Sequence, residues 1–141
     1  MQPALLDSSI YISAFRRGDA LLTLDRFTAG TTPWLSAVVL QELYAGARER
    51  DRAVVEGLDR DFVQARRILV PDLSDWVQAG KVLARLAAKY DHERIGRSRL
   101  TNDALIAMSA ARLGIRVITA NERDFRKLAE FRAFAWQLVT F

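Results

Sequence analysis

Apolar residues in this chain cluster in two ways that alternate along its length. Leu5-Leu6, Trp34-Leu35, Ile68-Leu69-Val70 and Val117-Ile118 are short unbroken runs, the pattern of strands buried on both faces. Between them, apolar positions recur at helical spacing. The pattern predicts a helix after Asp7 or Ser8, a turn at Arg16-Arg17-Gly18-Asp19, and a short helix over Ala20 to Phe27. A helix capped by Ser36 follows from Ala37 to about Arg48, then a charged one from Glu49 to Arg67 with Val54, Val55, Leu58, Phe62 and Val63 inward. Ser74 is the expected cap of the next, which runs to Lys89 with Val77, Val82, Leu83 and Leu86 inward, and Trp76 in the core or exposed to a partner. The tail from Phe131 to Phe141 alternates Phe134, Trp136, Leu138 and Val139, as a closing strand does. Strand and helix in alternation predict an α/β fold, a three-layer α/β/α sandwich on a mainly parallel sheet.

The stretch Thr101 to Ala111 stands apart because from Leu105 onward it has almost no polar face. A helix apolar all round is a buried one, and Gly114 supplies its stop before the strand Ile115 to Thr119. Asp103 stands among its opening positions. Asp7 follows the first strand, where ligands of parallel sheets collect. Glu42 lies three and four residues after Val39 and Val38, on an apolar face with the small Ala45 and Gly46 one turn on. After the strand ending at Thr119 comes a further oxygen-rich group, Asn121 and Asp124. Each acid also has a plain structural reading: Asp7, Asp103 and Asp124 as helix caps, Glu42 as one half of an ion pair with Arg.

At 141 residues the chain fits one domain spanning 1–141. Its N-terminus has no basic segment leading into an apolar core, and no run approaches the roughly 20 apolar residues of a membrane span; a soluble, cytoplasmic protein is expected. The absence of Cys and the single His92 exclude thiolate and imidazole-cluster zinc sites, so a bound metal would be held by oxygen. The formal net charge is +4 and nearly all of the positive charge is Arg, whose planar fork suits phosphate. The segment Tyr90 to Arg99 holds His92, Arg94, Arg97, Ser98 and Arg99 around Gly96. Arg97 and Arg99 are the candidates for contact with a phosphate chain.

Carboxylates gathered in one pocket repel, and a divalent cation removes that penalty. An all-oxygen donor set fits Mg²⁺, with Mn²⁺ as substitute. Such an ion activates water and stabilises charge on a phosphate under in-line attack, which is nuclease chemistry.

Four segments, Leu-Leu-Asp-Ser-Ser at Asp7, Leu-Gln-Glu-Leu-Tyr-Ala-Gly at Glu42, Asn-Asp-Ala-Leu-Ile-Ala at Asp103 and Thr-Ala-Asn-Glu-Arg-Asp-Phe ending at Phe125, resemble the ordered motifs of PIN-domain ribonucleases. The closest likeness is to toxin subunits of VapBC-type toxin–antitoxin modules. The resemblance implies a Mg²⁺- or Mn²⁺-dependent endoribonuclease, homodimers, and inhibition by a small antitoxin of the VapB type. By that resemblance Asp7, Glu42 and Asp103 match the family's acidic ligands, and the leading expectation is that Asp7 and Asp103 bind the metal while Glu42 orients an attacking water. Asp124 or Asn121 takes the fourth acidic position, and Ser8 and Thr119 are supporting hydroxyls. Asn121 at the fourth position would weaken metal binding. Two competing readings are a catalytically inert PIN-fold module for RNA or protein binding, and a phosphatase with Asp7 as nucleophile. The second is disfavoured because Ser9 stands where the commonest such arrangement has a second Asp.

Overall fold

The computed structural model describes residues 1–90 and 97–141, with residues 97–99 as backbone alone. Five strands form one sheet: β1 (Gln2–Leu6), β2 (Thr31–Ser36), β3 (Ile68–Leu69), β4 (Arg116–Thr119) and β5 (Trp136–Leu138). All pairings are parallel and the order is β3-β2-β1-β4-β5. Helices α1 (Ser8–Arg17), α2 (Ala20–Thr28), α3 (Ala37–Gly46), α4 (Arg52–Gln64), α5 (Leu73–Lys89), α6 (Arg97–Leu113) and α7 (Glu122–Ala129) cover it in a three-layer α/β/α sandwich. The chain leaves β1 first toward β2 and later returns to β4 on its other side. That reversal opens a crevice at the carboxyl ends of β1 and β4.

The unbroken apolar runs are buried as expected: Leu5, Leu6, Leu35, Leu69, Val117 and Ile118 are all in the core. So is the central helix, with Leu100 and the run from Ala104 to Ala110 packed inside. This helix begins earlier than its apolar pattern indicates, at Arg97, and therefore Asp103 lies in the second turn and not at the mouth. Arg97-Ser98-Arg99 carry no apolar period, so sequence periodicity has nothing to register there.

Other boundaries also differ. The span from Glu49 to Arg67 is a short 3₁₀ turn, Glu49–Asp51, followed by α4, and Val63 is exposed. β3 stops before Val70, which is exposed ahead of Pro71. The tail contributes only Trp136–Leu138 as strand. α5 is capped by Asp72 and not by Ser74: Asp72 accepts from Asp75 N–H, and Asp75 accepts from Asp72 N–H. Ser74 instead donates to Asp72 Oδ1 at 2.7 Å. The reciprocal capping box satisfies two otherwise orphaned N–H groups, which a Ser two positions on does not.

Asp75 has a second task. Its side chain is buried, and Arg112 in the last turn of α6 reaches it through Nε at 3.1 Å to both carboxylate oxygens and Nη2 at 3.0 Å. This ties the start of α5 to the end of α6. Asp75→Ala removes the box partner and leaves Arg112 with Asp72, 3.2 Å away, and the Val70 carbonyl, 3.5 Å away. It is expected to lower unfolding free energy by about 2 kcal/mol, measured by urea denaturation at neutral pH.

Candidate active site

The register of the sheet builds the first half of the site. Leu6 pairs with Ile118, so the next residue on each strand, Asp7 and Thr119, meet at the crevice. The Asp7 N–H continues the pairing by donating to Ile118 O at 3.0 Å. Asp7 is also the N-cap of α1, its Oδ1 accepting from Ile10 N–H at 3.4 Å. Ser9 Oγ donates to the same oxygen at 2.6 Å, and Thr119 Oγ1 donates to Oδ2 at 2.6 Å. Each hydroxyl in turn accepts a backbone N–H from the turn after β4, Ala120 at 3.2 Å on Ser9 and Asn121 at 2.9 Å on Thr119. The capping and site readings of Asp7 are therefore compatible.

Glu42 forms the second half, from the apolar face of α3. Burial pushes its carboxyl above the ordinary value, and the nearby Asp7 charge pushes it further, against hydrogen bonds from the side chains of Ser8 and Asn102. Among the described residues Glu42 makes no ion pair with Arg, and its buried Oε1 has no hydrogen-bond partner. Burial likewise raises the Asp7 carboxyl, opposed by Ser9, Thr119 and the backbone of Ile10 and Ser9.

Asp103 is buried on α6, directly after Asn102. Asn121, not Asp124, caps α7: its Oδ1 accepts from Asp124 N–H at 3.3 Å, and its Nδ2 donates to Asp124 Oδ2 at 2.9 Å. A continuous path of hydrogen bonds thus runs from Asp7 through Thr119 and Asn121 to Asp124. Arg99 and Arg97 have side chains outside the described residues, as does His92 altogether. Sequence reasoning assigned no role to Ser9 or Asn102. Ser9 could be found only by pairing it with the N–H of Ala120 across the crevice, and Asn102 only by knowing which helix faces Glu42.

The donor chemistry fits a hard divalent cation. Asp7 and Glu42 are both raised by burial and repel each other, and Glu42 Oε1 is a buried acceptor lacking a partner. Among the described residues no group of three or more His, Cys, Asp or Glu is arranged to hold a metal. Mg²⁺ is compatible with that, because it keeps several waters and touches only one or two carboxylates. Beside Glu42 opens a cavity of about 340 Å³ lined by Ile12, Phe15, Leu43 and Ala47 together with Arg16, Arg48 and Asp51.

A family model described as PIN domain matches residues 4–131. A protein named tRNA(fMet)-specific endonuclease VapC from Salmonella typhimurium is 31% identical over 118 residues, covering 79% of this chain and 82% of that one. The protein of the same name from Shigella flexneri is 30% identical over 138 residues, 94% of this chain and 96% of that one. In fold, the chain is similar to one in the crystal structure of DNA-bound VapBC from Salmonella typhimurium, with TM-score 0.67, 23% identity, and 97% and 98% of the two chains covered. It is also similar to one in VapBC2 from Rickettsia felis bound to a promoter DNA fragment, with TM-score 0.66, 18% identity, and 99% and 100% covered.

The raised carboxyl of Glu42 has a stability signature. The folded chain holds that proton to higher pH than the unfolded chain, so between the ordinary value of 4.5 and the folded one stability falls as pH rises. Without divalent ions, Glu42→Gln is expected to be more stable than the parent chain at pH 7, the difference shrinking as pH is lowered toward 4.5. Urea titrations of both proteins in EDTA from pH 4.5 to 8 measure this; a gap that widens on acidification contradicts it.

Proposed function

We propose, since this chain belongs to the PIN-domain family, that it is a VapC-type toxin: a Mg²⁺-dependent cytoplasmic endoribonuclease acting on tRNA. The observation that carries the reading is the pairing of Asp7 and Glu42, two carboxyls raised by burial at the switch point of the sheet, with one Glu42 oxygen left without a partner among the described residues. The names of the two relatives, both tRNA(fMet)-specific endonucleases, support tRNA as the substrate class.

In this reading Asp7 and Asp103 hold the ion, which when bound supplies Lewis acidity toward the scissile phosphate. Glu42 orients the attacking water and accepts its proton at Oε1. Burial suits it to that role, because a carboxyl raised toward neutral pH is a stronger base. Ser8 and Asn102 hold its other side, so the open oxygen points to the water. Asp124, fixed by Asn121, completes the acidic border.

A VapB-type antitoxin is the proposed partner, in keeping with the VapBC assemblies of similar fold. The apolar cavity beside Glu42 adjoins a second one lined by Leu21, Leu22 and Val54, with Phe15 and Asp51 common to both. Leu22 is 75% exposed, which an apolar segment of the antitoxin would cover. A basic antitoxin side chain directed at Glu42 and Asp7 would satisfy them as the cation does. A homodimer is proposed through α5, where Leu73 (79% exposed), Trp76 and Val77 form an apolar stripe opposite the buried Ala79, Val82 and Leu86. The acids of α5 lie at its start, Asp72 and Asp75, and its bases later, Lys81, Arg85 and Lys89; two antiparallel copies would therefore bring opposite charges together.

The inert PIN-fold module remains the competing reading, and what favours it is the lack of a metal-ready trio among the described residues. Cleavage of initiator tRNA by the purified chain in Mg²⁺, abolished by EDTA and lowered about 100-fold or more in Glu42→Gln, is the expected result. Cleavage that survives EDTA, or equal rates in the variant, overturns the nuclease assignment. For the dimer, Trp76→Glu is expected to convert a dimer to a monomer by light scattering with helix content unchanged.

A further inference from the structure

Ser9 touches two elements of the site at once. It lies in the first turn of α1, yet its hydroxyl reaches across the crevice and accepts the N–H of Ala120, the residue directly after β4, at 3.2 Å. The amide N–H takes one lone pair of the hydroxyl, and the hydroxyl's own proton is donated to Asp7 Oδ1, 2.6 Å away. Thr119 braces Oδ2 in the same manner from the strand side. With both oxygens bonded, the Asp7 carboxylate cannot rotate about its last torsion without breaking one bond. Ser9 also holds the turn between β4 and α7, which carries Asn121 and through it Asp124.

We propose that Ser9 is a positioning residue for the hydrolysis: it locks the plane of the Asp7 carboxylate and couples it to the β4–α7 turn. This rests on the nuclease reading above. Ser9 touches neither substrate nor ion and acts through Asp7. Partners of this kind typically contribute about 10- to 100-fold in metal affinity or activity.

The test compares the full chain with Ser9→Ala and Ser9→Thr, by calorimetry with Mn²⁺ and by steady-state cleavage of tRNA. Ser9→Ala is expected to weaken Mn²⁺ binding and lower kcat by about tenfold or more each, with KM for RNA and the thermal midpoint near the parent values. Ser9→Thr, which keeps the donor, is expected to recover most of both. Should the alanine variant fail to fold, Ser9→Cys keeps the size with a weaker donor and carries the same comparison. A parent chain that binds Mn²⁺ and cuts RNA, matched by Ser9→Ala or differing from it only in thermal midpoint or KM, overturns this inference alone. A parent chain that does neither overturns the nuclease reading and this inference together.

Discussion

The parallel pairing of β1 with β4 is the constraint on which the crevice depends. Pairing Leu6 with Ile118 sets Asp7 beside Thr119, and a slip of one residue would turn every side chain on one strand to the opposite face. The register is held because Leu5, Leu6, Val117 and Ile118 are all buried, so an alternative pairing would misplace the core. Hydrophobic burial in the sheet thus fixes the position of polar groups beyond its end.

The same burial sets the electrostatics. Asp7 is removed from water and Glu42 partly so by the helices that pack against the sheet, and both are raised as a result. A fold selected for stability alone would neutralise or replace such groups. Their proximity is a local cost that a cationic ligand, whether a metal ion or a basic side chain of a partner, would offset.

Much of the architecture was legible because its signals are local. The short apolar runs at Leu5, Leu35, Leu69 and Val117 are strand cores, and Glu42 was recognisable as an acid on an apolar face. What was not legible depends on contacts between distant segments. Arg97 to Leu100 join α6 without an apolar period to announce it. Val63 and Val77 match helical spacing and are nevertheless exposed, because periodicity finds an apolar face without saying what covers it. Asp72 takes the cap expected of Ser74 because Asp75 can answer it, and Asp75 is itself held by Arg112 from another helix. Ser9 meets a backbone amide that only the folded sheet brings near.

The two braced hydroxyls restrict what residue 7 can be. The amides of Ala120 and Asn121 each take one lone pair of Ser9 and Thr119, and both hydroxyls donate their hydrogen to that side chain. An amide of identical shape would turn its own NH₂ toward one of them, and that hydroxyl would have to swing its hydrogen away and accept on its remaining lone pair. The socket therefore favours an acceptor at both tips of the side chain before any ligand has arrived.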